Sequence, residues 1–206
     1  REIEKKLAEF APAVLIDESE VTQQKSTKPT SKNAPDFDLN TQLKRLTGVD
    51  LMEVPGINSL NALYLIGEIG LDMTRWKNAK QFASWLGLCP GNKVSGGKQL
   101  SGKSKPSSNR AAATLRMAAS TLSRSETALG GYLRRLKSRL GAPKAITATA
   151  HKIAKMIYNI LRYGVGYKEV GQDYYEKQYR ERVVNNLKKR AAEFGFNLVE
   201  ASTMAT

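Results

Sequence analysis

Ser95-Gly96-Gly97-Lys98 sets a hydroxyl beside two glycines and an ammonium group. Val94 to Lys98 predicts a tight hairpin turn, because glycine takes positive φ at both central positions without steric cost. A serine hydroxyl is a weak nucleophile until a base takes its proton or cations stabilise the charge developing on the group it attacks. The cations around Ser95 suit the second role, with a phosphoryl group as the electrophile. A Ser-Gly-Gly turn also serves simply to reverse a chain, and Ser101 and Ser104 offer competing hydroxyls nearby.

The surrounding charge is one-sided. From Asn92 to Lys144 there are twelve Lys and Arg residues against the single acid Glu126, whereas a solvated helix face normally mixes signs. Lys93, Lys98, Lys103, Lys105, Arg110, Arg116, Arg134 and Arg135 are therefore candidates to meet phosphates. Val54-Pro55-Gly56-Ile57-Asn58 reads as a helix-hairpin-helix turn, in which Gly56 and Asn58 would bring backbone N–H groups and a helix N-terminus up to a backbone phosphate. Asn58 stands where that motif usually has a second glycine; asparagine tolerates the left-handed region better than most residues. Pro-Gly suits any αα-hairpin equally well, so the tetrad leaves a purely structural turn open. His151, the only histidine, falls near the polar side of a helix, as a boundary residue or as a proton-transfer or phosphate-contacting group. Cys89 reads as a small buried side chain. The mixture of Tyr167, Tyr174, Tyr175, Lys177, Tyr179, Arg180 and Arg182 can stack on nucleobases or pack as an amphipathic helix.

Composition agrees with a polyanionic partner. The 206 residues carry 33 Lys and Arg against 19 Asp and Glu, a formal charge of +14, with a pI near 9.9. The length excludes a large multidomain enzyme. Apolar residues make up 41%, enough for a core, yet no apolar run nears the roughly 20 residues that cross a bilayer, so no membrane partner is expected. One cysteine and one histidine cannot supply an internal disulfide or a zinc set, which points to a reducing, cytoplasmic setting. Paired carboxylates with metal-site spacing and a phosphate loop are both missing, so neither a metal nor a nucleotide cofactor is expected within the chain.

The elements that must position these groups are mostly helical. Residues 1–16 read as the end of an upstream helix or coiled-coil segment, and with Arg1 in first place the chain is expected to be the C-terminal portion of a longer protein. Residues 17–40, rich in Ser, Thr, Lys, Gln and Pro, predict a flexible linker; residues 41–200 the folded domain; and 201–206 a disordered tail. Leu39, Leu43 and Leu46 have helical spacing. Asn58 or Ser59 can cap a helix to about Gly67, and Asn78 another in which Phe82, Trp85 and Leu86 share a face. Helical period is lost from Leu88 to Pro106. It returns over Arg110–Ser123, Leu129–Leu140 and Ala145–Tyr163, where Ile146, Ala150, Ile153, Ile157 and Leu161 form the clearest stripe and the expected central helix. Asp173 is expected to cap a charged helix running to about Phe194.

Val54-Pro55-Gly56-Ile57, Ser84-Trp85-Leu86-Gly87-Leu88-Cys89-Pro90, Ser95-Gly96-Gly97-Lys98, Arg134-Arg135 with Gly141-Ala142-Pro143-Lys144-Ala145, and Ala148-Thr149-Ala150-His151-Lys152 occur in an order that resembles the C-terminal half of insertion-sequence one-ten family transposases. The resemblance covers roughly Leu46 to Val199. It implies a helical Tnp domain whose serine, matched by Ser95, attacks DNA to give a covalent phosphoserine link. It further implies double-stranded donor and target DNA and a structured guide RNA as partners, a homo-oligomer, and a bacterial or archaeal, nucleoid-associated setting. In the family an N-terminal RuvC-like domain supplies four acidic ligands for Mg2+; this chain has no match for them, so the resemblance implies an incomplete active site. A non-catalytic basic DNA- or RNA-binding module is the alternative that the residues themselves leave open.

Overall fold

The computed structural model describes residues 37–199 except Lys105, together with Glu2, Lys5, Lys6 and Glu9; for Lys93 and Gln99 the description is of the backbone. In chain order the elements are α1 (Leu39–Thr47), α2 (Ser59–Ile69), α3 (Ala79–Trp85), a hairpin of β1 (Lys93–Ser95) and β2 (Lys98–Ser101), α4 (Arg110–Thr121), α5 (Ala128–Leu140), α6 (Ala142–Tyr163) and α7 (Gln172–Glu193). Single 3-10 turns at Leu51–Glu53, Met73–Arg75 and Leu122–Arg124 complete them. The expected mostly α fold is what forms. Glu2, Lys5, Lys6 and Glu9 are helical and exposed; the rest of the expected upstream segment, residues 17–36 of the expected linker and the tail 201–206 lie outside the described residues. The linker's expected end at residue 40 is too late: Asp38 accepts from Asn40 N and Thr41 N to cap α1, and Leu39 is already buried.

The caps written into the sequence start most of the helices. Asn58 Oδ1 accepts from Asn61 N at 2.8 Å, Asn78 Oδ1 from Lys80 N and Gln81 N, Asn109 from Ala112 N and Thr127 from Gly130 N. Asn58 is extended, at φ −107° and ψ 173°, so it does not take the left-handed conformation expected from its place in the turn; its side chain is committed to the cap. Asp173 likewise falls inside the first turn of α7, where Gly171 holds the cap position and the carboxylate faces the positive end of the helix dipole.

The core forms around α6, which packs against α3, α4 and α5. Ala145, Ala150, Ile153, Ala154, Ile157, Tyr158 and Ile160 are buried along it, while Ile146 and Leu161 at the ends of the predicted stripe are only half-buried. Each fully buried Ile side chain contributes roughly 1.5–3 kcal/mol relative to exposure. Tyr158 donates its hydroxyl to Trp76 O at 2.8 Å, closing an aromatic cluster with Trp76 and Phe82. Trp85, expected to share the face of Phe82 and Leu86, is 42% exposed: its ring lies against Trp76 at the edge of the core.

Alanines let α4 come close to its neighbours. Ala111, Ala112, Ala118 and Ala119 are all fully buried, and α4 packs against both α2 and α6. The tightest approach is at Gly56, with φ +87°, where a Cβ would stand 2.6 Å from Ala118 O.

No residue of α7 is buried, so polar links hold it in place. Glu169 Oε1 accepts from Ala128 N at 3.0 Å and Gly171 N at 2.8 Å, while Tyr167 donates to Glu169 Oε2 at 2.8 Å. One carboxylate thereby caps the start of α5 and fixes the chain entering α7. Burial works to raise the Glu169 pKa, but these hydrogen bonds outweigh it and hold the group below its ordinary 4.5.

Two outcomes follow from this packing. Gly56→Ala combines a left-handed backbone with a backbone clash and should lower unfolding free energy by at least about 2 kcal/mol, measured by chemical denaturation. Glu169→Gln should be less stable than the native chain at neutral pH. Because the folded-state pKa of Glu169 is depressed, its contribution is complete above the ordinary carboxylate value and disappears as pH falls through the lower folded value; the melting curves of the two proteins should therefore converge in acid.

Candidate nucleic-acid interface

The hairpin carrying Ser95 stands out from the helical body. β1 and β2 pair antiparallel with Ser95 opposite Lys98 and Val94 opposite Gln99, and a bulge at Lys93/Val94 ends the regular register. Gly96 and Gly97, at φ +55° and +74°, form the two-residue turn that the sequence predicts. Directly opposed residues place their Cβ atoms about 4.5–5.5 Å apart on one face of the ribbon, so the Lys98 ammonium can reach whatever the Ser95 hydroxyl meets. Both residues are exposed, as are Val94 at 61% and Leu100 at 69%.

The other two serines of this stretch are placed differently. Ser101 is half-buried and its hydroxyl accepts from Lys103 N at 3.3 Å; Ser104 is half-buried at a bridge to Pro90. Gly91 N donates to Lys103 O at 2.9 Å, which ties the base of the hairpin.

Of the other predicted phosphate contacts, Lys98, Lys103 and Arg110 are exposed and Arg116 is half-buried, while Lys93 opens β1 and Lys105 lies outside the described residues. Among the described residues no Lys or Arg is ion-paired with a described carboxylate.

Two of the predicted phosphate contacts have packing roles within the protein. Gly56 faces Ala118 of α4, so the face of the Pro55-Gly56 turn from which a Cβ would project is covered by protein. Arg134 donates through Nη1 to Ser123 O at 3.1 Å and Ser125 O at 2.7 Å, and through Nη2 to Gln172 Oε1, which joins α5 to the start of α7. Its guanidinium is taken up by neutral acceptors.

Arg135 points into a group of tyrosines that sequence reasoning found only in part. Its guanidinium carbon lies 3.7 Å from the ring centre of Tyr179, 4.9 Å from Tyr175 and 5.8 Å from Tyr132. Lys152 Nζ stands 4.5 Å from the Tyr132 ring and 5.5 Å from Tyr175. Tyr175 and Tyr179 were visible as an aromatic-basic run, and Tyr132 precedes Arg135 by three residues, one helical turn. Lys152 carries no such local signal, because α6 brings it in from a different helix. Burial first, then the charges of Arg135 and Arg182, lower the Lys152 pKa from its ordinary value.

His151, next along α6, is half-buried; burial and then Lys155 lower its pKa, which keeps the imidazole neutral at neutral pH. Cys89 is half-buried rather than fully buried, its thiol is pushed up in pKa by burial, and its Sγ lies 3.9 Å from Lys80 O. The described residues contain no group of three His, Cys, Asp or Glu side chains placed to hold a metal ion. No described helix is long and apolar enough to cross a membrane.

Comparison with curated proteins finds no match. Comparison with protein families does: residues 49–133, which run from the end of α1 through the Pro55-Gly56 turn and the Ser95 hairpin into α5, match the family described as Transposase IS116/IS110/IS902 family. The glycine-tipped serine hairpin and the Ala-rich α4 both lie within the matched segment, so this part of the chain is similar to that transposase family.

Proposed function

We propose that this chain is the serine-bearing, DNA-handling part of an insertion-sequence transposase. The observation that supports it most directly is the pairing of an exposed Ser95 with Lys98 on a hairpin that adds nothing to the core, within the matched segment. Substrate and site fit one another: an exposed hydroxyl, an ammonium across the ribbon, and a surrounding surface without carboxylate partners suit a phosphodiester.

In the proposed step Ser95 Oγ attacks phosphorus in line with the departing oxygen. The Oγ–P bond forms, one P–O bond of the DNA backbone breaks, the departing oxygen leaves as a free hydroxyl, and the serine proton passes to solvent or to a base outside the described residues. The ester bond energy is kept in the phosphoserine link, so rejoining to a second DNA end reverses the same chemistry. Lys98 opposes the charge growing on the phosphoryl oxygens, while Lys103, Arg110 and Arg116 hold the flanking backbone. Exposed Val94 and Leu100 become covered when the hairpin docks on DNA.

The remaining parts of the reading come from the family. The chain works within a longer cytoplasmic protein, the portion outside it supplies a RuvC-like domain with its Mg2+, an element-encoded RNA guides the choice of donor and target, and copies assemble on paired DNA sites. By this reading the chain by itself binds duplex DNA and does not complete strand exchange.

Two experiments check the proposal. With the complete transposase, its RNA and labelled DNA, a denaturant-resistant protein–DNA adduct should form with the native protein and vanish with Ser95→Ala; an adduct of equal yield from both would move the chemistry to another residue. For the chain alone, log Kd for duplex DNA against log salt should have a slope of about 0.9 per phosphate contact. Lys98→Gln and Lys103→Gln should each reduce the slope by about one contact; a salt-independent Kd would remove the nucleic-acid reading altogether.

A further inference from the structure

Between α5 and α7 lies a cleft of about 830 Å³, lined by Arg135, Tyr175, Tyr179, Val183 and Val184 among others. None of the hairpin residues line it, so it is separate from the site of Ser95. Its size falls within the roughly 300–1,000 Å³ of sites that enclose a small molecule.

The polar side of the cleft is electrically incomplete. Arg135, Lys177 and Arg180 line it, while Lys152, outside the lining, shares the rings of Tyr132 and Tyr175 with Arg135. Glu176, the acid of the lining, is hydrogen-bonded by Gln172 Nε2 and ion-pairs with none of these cations. Arg135 Nη1 and the Tyr175 hydroxyl are buried without a hydrogen-bond partner. Tyrosine faces offset part of the desolvation of a cation. They do not remove the repulsion between neighbouring cations, which an anion held in the cleft would relieve.

The remaining wall is of another kind. Val183, Val184 and the Tyr179 ring give an apolar surface about one to two and a half helical turns along α7 from Tyr175. An anion with a planar, apolar group attached is what the two walls together would take. Within the nucleic-acid reading, a nucleotide has that composition: phosphate at one end and a stackable base at the other. A base-paired duplex keeps its bases inside the stack and cannot offer one to a concave site, whereas an unpaired strand can.

We infer that the α5–α7 cleft seats one unstacked nucleotide of a single-stranded segment, its phosphate held by Arg135 and Arg180 and its base stacked on Tyr179 and the valines. This deepens the proposed function and rests on its nucleic-acid reading, but not on the serine chemistry. The transposase would then hold duplex DNA on the basic surface around the hairpin and an unpaired strand on α7.

The test uses the full chain and fluorescence anisotropy with labelled oligothymidylate, oligouridylate and a DNA duplex, comparing native protein with Tyr179→Leu, Tyr179→Phe and Arg180→Gln, each first checked by circular dichroism for an unchanged fold. Tyr179→Leu should weaken binding of the single strands about tenfold, Tyr179→Phe should restore it to within about twofold of native, and Arg180→Gln should lower the salt slope by about one contact. Duplex affinity should change less than about twofold in all three. Whether thymidylate or uridylate shows the stronger pattern identifies DNA or RNA as the source of the strand. A parallel loss of single-strand and duplex binding, or no loss with Tyr179→Leu, would overturn the inference. As a readout independent of variant folding, an oligonucleotide carrying 5-iodouracil, irradiated with the native chain, should attach to the peptide holding Tyr175 and Tyr179; attachment confined to other segments would equally overturn it. Single-strand binding with this pattern but without duplex binding or a Ser95 adduct would leave the cleft standing and remove the transposase reading, so the two fail separately.

Discussion

The structure depends on α6 being buried along most of its length between three partner helices. Its stripe of Ile, Ala and Tyr158 fixes where α3, α4 and α5 can lie, and the small residues of α4 set how closely α2 can approach from the other side. Gly56 is the sharpest expression of that constraint: the backbone of the Pro55-Gly56 turn sits so near Ala118 O that only a residue without Cβ fits. A sequence pattern that also serves for gripping phosphate is here needed for helix packing. The same glycine can satisfy both demands only if different faces of the turn meet α4 and an anion.

Because the core is satisfied by α1 to α6, the two elements that carry the proposed sites are peripheral. The hairpin is held at its base by Gly91 N to Lys103 O and by the Pro90 to Ser104 bridge, and its described side chains from Val94 to Leu100 are exposed. A two-stranded hairpin standing alone is marginal in water. Its shape is therefore set by the two left-handed glycines and can adjust to a substrate without disturbing the core. Helix α7 is peripheral in another way: with no buried residue it is held by Glu169, by Arg134 through Gln172, and by the rings around Arg135. Polar and cation–π links of this kind are individually modest, so α7 is the element most readily adjusted by a bound ligand.

Charge separates the two kinds of cation. Exposed cations such as Lys98, Lys103 and Arg110 have water as their only competitor and suit a salt-sensitive backbone contact. Arg134, Arg135 and Lys152 are half-buried, and each has given up water for a specific neighbour: carbonyls and an amide for Arg134, tyrosine faces for the other two. Adjacent residues in the sequence, Arg134 and Arg135, thus end in opposite circumstances, one satisfied and one not.

Much of this was legible in the sequence, for local reasons. Helical spacing on the Ala145–Tyr163 segment, the capping residues Asn58, Asn78 and Asn109, and the Gly96-Gly97 turn are all set by near neighbours, and each forms as its pattern implies. The family could be recognised for a similar reason, since its motifs are short, ordered stretches of chain. Positions whose meaning depends on a distant partner could not be read. Nothing near Gly56 announces Ala118, nothing near Arg134 announces Gln172, and Lys152 reaches the tyrosines only because α5, α6 and α7 meet. The sequence by itself determined the helices, their caps, the exposed serine turn and the excess of positive charge, because spacing, torsion and composition act over a few residues. Tertiary structure alone decided which cations are satisfied within the protein and which remain for a ligand, because burial and pairing are properties of surfaces that meet only when the chain has folded.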